Sequence, residues 1–399
     1  MVLYQTPGLY KQDILPVTTL KLSTGVPAFL GLVGHQIADQ VNVPQLLTSW
    51  DQQLFQQQFG DSPSGSHLSY AVRGFFENGG LRCYVVPLKD ESAPALDAGL
   101  AAIEALDTID LVCAPDILSL HPDANQPNQW VLPDPSQVQV MQLKVLEHCA
   151  RLGDRFAILD ALPNTNSEQV AAQRRGLGQS VESSFAALYY PWVRITDAPK
   201  VGNGFVPPCG HIAGIYARSD QQVGVFKAPA NEVLKGILEL AVNLNNEQQG
   251  ELNPHGINCL RVFPGRGIRV WGARTLSQDP LWIYVNVRRL FITLRRWIDL
   301  NLADVVFEPN DLRLWARINR ELTDYLTDWF RKGALQGSSP ETAFKAFYVK
   351  CDAETNPSSE RDLGRVNTEI GLAAAVPGEF IIIRIIQSPD TTTLSTAPP

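Results

Sequence analysis

The sequence predicts an α/β domain with a doubly wound, mostly parallel sheet, followed by an α+β C-terminal domain, with an extended arm at each end of the chain. Three observations support this prediction. Short apolar runs alternate with helical patterns from Val26 to Pro191 at the spacing of βαβ units. A polar stretch over residues 245–256 then precedes a hairpin pattern and two long amphipathic helices. Apolar runs beside proline and glycine lie at both termini.

Length and charge limit the number of domains and the class of partner. The chain has 399 residues, and at about 100–200 residues per domain this length predicts two or three domains. The net charge is −8, and the sequence holds no lysine-rich segment. Because binding to phosphate backbones needs a concentrated cationic surface, we expect no contact with nucleic acid.

Targeting, membrane and metal signals are also missing from the sequence. The first residues lack a basic start followed by an apolar run, and no stretch of about 18 uninterrupted apolar residues occurs. We therefore expect cytoplasmic assembly and no direct membrane insertion. The six cysteines are scattered without a C-x-x-C pair, a pattern that favours buried thiols over disulfides or zinc ligands. No metal and no cofactor is expected.

Residues 1–20 are predicted to form an N-terminal arm. A turn signal, Thr-Pro-Gly, precedes an extended run over residues 9–15, and the segment has too few apolar residues for a core of its own. The alternative is a frayed terminus.

Residues 21–250 are predicted to form the α/β domain. A buried strand follows Val26, and a loop then enters a helix. The pattern repeats as helix 70–78, strand 82–87, helix 93–105, strand 109–114, helix 138–152, strand 156–160, helix 167–180 and strand 185–191. A further strand over residues 210–217 and a helix capped by Ala230 or Asn231 are predicted to follow.

A doubly wound sheet invites comparison with enzymes, because such sheets bind ligands at the carboxyl ends of their strands. The sequence contains no phosphate loop, no dinucleotide-binding glycine motif, no nucleophile elbow and no H-E-x-x-H motif. Asp160 ends a strand and His211 lies close to Cys209 in the sequence, but the sequence does not bring the three side chains together. We expect no catalytic site, and a soluble α/β enzyme is the alternative.

The predicted C-terminal domain, residues 251–378, opens with a hairpin that turns at residues 264–267 and leads into a long helix. At 100° per residue, four arginines fall within about 120° of each other, while apolar residues occupy the opposite side. These arginines are Arg288, Arg289, Arg295 and Arg296. The pattern predicts an outward cationic face, and a merely solvated surface is the alternative.

The remaining elements end in a second candidate arm over residues 379–399. A second helix carries an aromatic and aliphatic stripe until Gly333, and strands are predicted over residues 347–351 and 365–373. Residues 379–387 are apolar on both alternate sets apart from Arg384, so this strand must be buried on both faces. The last ten residues are predicted to have no regular structure.

Several long blocks of the sequence resemble the contractile tail sheath proteins of phage tails, R-type pyocins and contractile injection systems. The blocks are NCLRVFPGRGIRVWGARTL with WIYVNVRRLFITLRRWI, PPCGHIAGIYARSDQQVGVFKAPANEVLKGI, LSYAVRGFFENGGLRCYVVPL, FYVKCDAETNP and GEFIIIRIIQ. They occur nearly end to end and in the family's order. The resemblance implies a structural subunit that polymerises helically around an inner tube and contracts to drive the tube through a target membrane. It also implies a subtilisin-like topology for the α/β domain.

The family resemblance also implies partners and contact residues. The partners are further copies of the chain, an inner tube protein, and baseplate and terminal cap proteins. The start TPGLY is similar to the family's N-terminal arm, and both arms are expected to add strands to neighbouring subunits. The implied arm residues are Leu9, Tyr10, Ile14, Phe380, Ile381, Ile382, Ile383, Ile385 and Ile386, and the implied tube contacts are the four arginines of the cationic face. A phage tail and a released or membrane-anchored injection particle both stay open.

Overall fold

Near-continuous apolar runs form the strands of a large mixed sheet. The computed structural model describes residues 22–34, 40–123, 130–196, 204–337, 343–380, 384–387 and 392–395. The strands are β1 Pro27–Gly31, β2 Gln45–Leu47, β3 Cys83–Pro87, β4 Leu111–Cys113, β5 His121–Pro122, β6 Trp130–Val131, β7 Phe156–Asp160, β8 Ala186–Tyr190, β9 Val193–Ile195, β10 Phe205–Val206, β11 Ile237–Leu240, β12 Ile257–Phe263, β13 Gly267–Trp271, β14 Phe347–Lys350, β15 Glu369–Leu372, β16 Arg384–Gln387 and β17 Thr392–Ser395.

Helices cover the sheet and form most of the C-terminal part of the chain. They are α1 Gln52–Phe59, α2 Leu68–Glu77, α3 Ala93–Ala102, α4 Pro135–Leu152, α5 Ser167–Gly176, α6 Cys209–Gln222, α7 Asn246–Leu252, α8 Val285–Asn301, α9 Leu312–Arg331, α10 Ala343–Ala346 and α11 Ser358–Arg361. Several begin at the residues that chemistry favours. Ser92, Asp134, Asn166 and Asp311 each accept a hydrogen bond from a first-turn amide of α3, α4, α5 and α9.

The large sheet has the strand order β13-β12-β8-β7-β4-β1-β3-β2. The six strands from β12 to β3 run parallel, whereas β13 and β2 pair antiparallel at the two edges. Alternate residues enter different cores: Phe156 and Ile158 of β7 face one cluster, and Ala157 and Leu159 face the other. Helices α3, α4 and α5 pack against the face that carries Ala157 and Leu159. Helices α2, α6 and α8 pack against the face that carries Phe156. The sheet is therefore buried on both faces, as its apolar strands predict.

The predicted strand over residues 210–217 is wrong, because this segment lies within helix α6. The helix packs on α2 through small residues: a Cβ on Gly210 would lie 2.0 Å from the carbonyl oxygen of Ala71. The helix predicted after Asn231 is wrong as well. Asn231 has a positive φ of 57°, and the chain continues to β11 instead.

The predicted domain boundary at residue 250 would separate β12 and β13 from the other strands of the large sheet. β12 pairs parallel to β8, and β13 forms the edge next to it. The sequence predicts that both strands belong to the C-terminal domain, because a polar stretch precedes them. That stretch instead forms α7, whose N-terminus carries a capping box between Asn245 and Gln248.

Helices α8 and α9 and the β14–β15 pair form the C-terminal unit. Trp315, Leu322 and Trp329 of α9 are buried on one stripe, as the spacing predicts. The rings of Trp297 on α8 and Tyr325 on α9 stack with centroids 4.1 Å apart. The two helices therefore share one core, and side chains of β14 and β15 also pack into this core.

The chain ends in a separate hairpin, in which β16 and β17 pair antiparallel. The prediction of no regular structure in the last ten residues is wrong at β17. The N-terminal arm residues Leu9, Tyr10 and Ile14 lie outside the described residues, as do Ile381, Ile382 and Ile383.

Candidate assembly interface

Helix α8 lies between the large sheet and the C-terminal unit. Val285 and Ile292 pack into the sheet's core, whereas Leu290 and Leu294 pack into the core shared with α9. The helix is consequently buried on two sides. The prediction from its periodicity assumed a single buried stripe. Because a second side of α8 is buried as well, arginines on that side can be buried too.

Arg289 lies on the sheet side and is fully enclosed by its own chain. Its guanidinium donates to both carboxylate oxygens of Asp220, at 2.8 and 2.6 Å, and to Asp110 at 3.0 Å. It also lies over the ring of Tyr216. Burial alone would lower the pKa of Arg289, but Asp220 and Asp110 raise this pKa above its ordinary value. The cluster is therefore a charged internal tie between α8, α6 and the start of β4.

Arg296, two turns further along α8, is also buried. Its Nη1 donates to the Ser23 carbonyl at 3.0 Å, and its Nη2 donates to the Asp107 carbonyl at 2.9 Å. Asp110, which pairs with Arg289 of the same helix, also accepts hydrogen bonds from the backbone amides of Gly25 and Val26. Helix α8 thus fixes the segment that enters β1.

Arg288 packs against aromatic rings instead of carboxylates. Its guanidinium lies 3.6 Å from the ring centroid of Trp282 and 4.3 Å from that of Phe185. Burial lowers its pKa to about 10. Arg295 is exposed, and its guanidinium lies beside Gly153, where α4 ends.

The predicted outward cationic face is therefore wrong. Arg288, Arg289 and Arg296 are 7%, 2% and 5% exposed, and each contacts groups of its own chain. Arg295 is the member of the set with a solvent-exposed side chain. The physical reason is that groups which the linear sequence does not place enclose these side chains. They are carboxylates at Arg289, backbone carbonyls at Arg296 and aromatic rings at Arg288.

Asp160 and Cys209 are brought together, but in a sealed core. Burial raises the pKa of Asp160 to about 7, and hydrogen bonding from Cys209 offsets part of this rise. Burial also raises the pKa of the Cys209 thiol well above its ordinary value, so the nucleophilic thiolate is disfavoured. His211 packs against Gly74 on α2, and burial lowers its pKa to about 4. The arrangement lacks the activated thiolate that catalysis by cysteine needs.

Among the described residues, the cysteines, acidic residues and helices can be compared with the requirements of metal sites and membrane spans. All six cysteines are buried and unpaired, as the sequence predicts. Within the described ranges, no group of three or more His, Cys, Asp or Glu side chains is arranged to hold a metal ion. No helix in that part of the chain combines the length and apolar character needed to cross a bilayer.

The β14–β15 pair offers open strand edges at the surface. Val349 and Ile370 pack onto the α8–α9 core, and Tyr348 is half exposed. In the part of the chain that the structure describes, the pair forms a two-stranded sheet, and only residues 373–375 continue it by bonding to residues 334–336. Unpaired edges of this kind can accept an added strand.

Comparison with known proteins agrees with this architecture. Residues 124–276 match the phage tail sheath protein central domain, and residues 277–388 match the phage tail sheath C-terminal domain. The helical sheath of the anti-feeding prophage, solved in its contracted state, is 31% identical to this chain with a TM-score of 0.74. The likeness covers 97% of this chain and 100% of that chain. The chain belongs to the contractile tail sheath protein family.

Other sheath proteins are similar over long stretches. The sheath of the extracellular contractile injection system PVC, in its contracted state, is 28% identical with a TM-score of 0.74, over 98% of this chain and 99% of that chain. The tail sheath protein of Vibrio phage KVP40 is 30% identical over 211 residues, which are 52% of this chain and 30% of the phage protein. A prophage sheath protein of Pseudomonas aeruginosa is 25% identical over 258 residues, 64% of this chain and 63% of that protein. The chain spans less than two thirds of these two curated relatives.

The family's own division agrees with the structure. The two sheath domains meet between residues 276 and 277, just after β13 ends.

The sequence did not reveal one polar site of this chain, the carboxylate of Glu379. In the sequence, Glu379 is a single acidic residue before an apolar run, and this pattern does not indicate which residues its carboxylate contacts.

Proposed function

We propose that this chain is the structural sheath subunit of a contractile injection system or phage tail, polymerising helically around an inner tube and contracting to drive the tube through a target membrane. The observation that carries the proposal is the likeness, over almost the whole chain, to sheath subunits solved in the contracted state. The proposed partners are further copies of the chain, the inner tube protein, and baseplate and terminal cap proteins. A helical polymer follows from heterologous contacts that do not close.

The proposed subunit has a doubly wound α/β part, an α+β C-terminal part, and two arms that join subunits. Residues 1–20 and the segment after Glu379 are the proposed arms. The open edges of β14 and β15 are the proposed acceptor on a neighbouring subunit, because they lie at the surface beside a ready apolar core. Contact with the inner tube is not assigned to Arg288, Arg289 or Arg296, since these side chains are buried.

The energies explain how arms could join subunits without causing premature polymerisation. Burying the six apolar side chains between Phe380 and Ile386 at roughly 1.5–3 kcal/mol each would contribute on the order of 10 kcal/mol. Association and ordering cost about 4–15 kcal/mol, so a single arm is marginal. Two arms acting on an already templated ring raise the effective concentration. Assembly is therefore expected to need the tube or baseplate as a template.

Proline in the C-terminal arm tests the proposal. In the proposed added strand, Ile383→Pro removes one amide donor, and deletion of residues 380–399 removes the arm. Both variants should stay folded by circular dichroism yet form no sheath on tubes, whereas Ile383→Val should assemble normally. Full-length sheaths from either disrupted variant, seen by electron microscopy, would refute the linking role of this arm.

We also propose that the α/β part has no catalytic role. The raised thiol pKa of Cys209 and its enclosure beside Asp160 support this view. Hydrolase or nucleotide turnover by the purified protein that disappears in Cys209→Ala would contradict it.

A further inference from the structure

Glu379 lies where the chain leaves the C-terminal unit. Before it, Val376 is 60% exposed, and after it, Phe380 is 75% exposed. The backbone here is held through Ala375, whose amide donates to the Ala334 carbonyl. Glu379 is by contrast partly enclosed, with its side chain turned toward the body of the subunit. The Glu379 side chain is therefore packed against the subunit, whereas the side chains of Val376 and Phe380 are exposed to solvent.

Three separate segments of the chain converge on the Glu379 carboxylate. Arg274 approaches it side-on, with Nε 3.0 Å from Oε1 and 3.2 Å from Oε2, and its Nη2 donates to Oε2. The side-chain amide of Asn253 donates to Oε1 at 2.6 Å, and the hydroxyl of Tyr284 donates to Oε2 at 3.4 Å. Burial would raise the pKa of Glu379, but the bonds from Arg274 and Asn253 lower it below its ordinary value. The carboxylate is thus ionised and held by donors on several sides.

Arg274 is in turn fixed to the large sheet. Its amide donates to Oδ1 of Asn258, and the Asn258 side-chain amide donates back to the Arg274 carbonyl, both at 2.7 Å. Asn258 is fully buried in β12 and also donates to the Leu188 carbonyl in β8. Tyr284, just before α8, forms a backbone bridge with Arg274. The contacts of Glu379 therefore lead through Arg274 and Asn258 to strands β12 and β8 of the large sheet.

We infer that Glu379 is a positioning residue that anchors the root of the C-terminal arm to the body of the subunit, so that the direction of the arm is fixed and a pull on the arm reaches the large sheet. This inference rests on the proposed sheath function. A loose root would behave as a flexible linker and would let the arm swing. An anchored root keeps the arm preorganised for its neighbour and lowers the ordering cost of assembly. The arm then begins at Phe380, one residue later than the sequence suggested.

Glu379→Gln tests the anchor, because it keeps the side chain's shape and removes its charge. The matched control is Glu321→Gln, which removes a partly buried partner of Arg317 on α9 in the same unit. A nitroxide on Phe380→Cys reports root mobility in the free subunit, since the six native cysteines are buried. We expect Glu379→Gln to lose the immobilised spectral component and to form sheaths on tubes at least about tenfold less efficiently, while the control keeps both properties.

The outcomes separate the anchor from the wider proposal. Loss of label immobilisation together with shortened sheaths or altered helical rise and twist, in a variant that melts like wild type, supports the anchor. Wild-type label spectra, or sheaths of wild-type yield and helical symmetry from Glu379→Gln, would overturn it. A wild-type chain that forms no sheath on tubes would instead overturn the proposed function.

Discussion

The guanidinium of Arg289 connects three parts of the sheath subunit that are far apart in sequence. It bridges Asp110 at the start of β4 and Asp220 on α6, and Asp110 also receives the amides that enter β1. All three charged side chains are buried. Removing the cation would leave two carboxylates in a desolvated site without their partner.

Arg289→Met is therefore expected to destabilise the folded subunit by about 3–5 kcal/mol. Arg295→Met changes an exposed arginine on the same helix and should stay within about 0.5 kcal/mol of wild type. Urea unfolding of the soluble subunit measures both values. Equal stabilities for the two variants would show that the buried cluster is not a stabilising tie.

The Asp160 carboxyl makes stability depend on pH in a predictable direction. Burial raises its folded pKa to about 7, whereas an unfolded aspartate titrates near 3.9. Between these values the folded state keeps a proton that the unfolded state has lost. This group therefore costs stability as the pH rises toward 7, by up to about 1.4 kcal/mol per pH unit.

Asp160→Asn cannot ionise and should remove that loss. Relative to wild type, its free energy of unfolding should rise as the pH increases from 5 to 7 and then level off. Comparing the two proteins cancels the opposite contribution of buried histidines such as His211. A stability difference that stays constant from pH 5 to 8 would show that Asp160 does not titrate in this range.

Residue-scale prediction from the sequence failed at the arginines for a definable reason. Helical periodicity identifies which side chains share an arc, and it does not identify what covers that arc. Asp220 and Asp110, which pair with Arg289, lie 69 and 179 residues away in the sequence. The buried thiols of Cys83, Cys113 and Cys259, by contrast, were predictable because these residues lie within apolar strand sequences.

At the scale of elements, α9 shows where the sequence is most informative. Its apolar residues recur at spacings of three and four, and the same residues are buried against α8 and β14. The opposite face is solvated. When only one side of a helix is buried, its apolar residues recur every three or four positions, which differs clearly from the two-residue alternation of a strand.

Paired alanine substitutions on α9 test this packing. Leu322 is 1% exposed, and Leu322→Ala should cost about 2–5 kcal/mol through lost contacts and a residual cavity. Leu312 at the start of the same helix is 73% exposed, and Leu312→Ala should cost less than about 0.5 kcal/mol. Thermal unfolding separates the two outcomes, and similar melting temperatures would contradict the assigned stripe.

Helix α6 shows the converse case. Its residues from Cys209 to Ala217 are buried on every side, so no polar face marks the helical period. A short, uniformly apolar segment fits a buried strand equally well by pattern alone. The glycines that allow α6 to approach α2, Gly210 and Gly214, reveal their purpose only when both helices are placed.

At the scale of the whole molecule, α8 joins the part built on the large eight-stranded sheet to the C-terminal unit. The sequence predicted the class of fold and the order of most elements between residues 26 and 191. It misplaced the domain boundary, because the parallel pairing of β12 with β8 brings together residues separated by the intervening α6 and α7. Both candidate arm roots are held to this body: Ser23 through Arg296, and Glu379 through Arg274.

Electron microscopy of the wild-type subunit, expressed with and without the inner tube protein of its system, tests the central claim most directly. We expect striated tubes of uniform diameter around the inner tube, and mainly dispersed subunits when the template is missing. Only small uniform particles in the presence of assembled inner tubes would contradict the assignment of this chain as a sheath subunit.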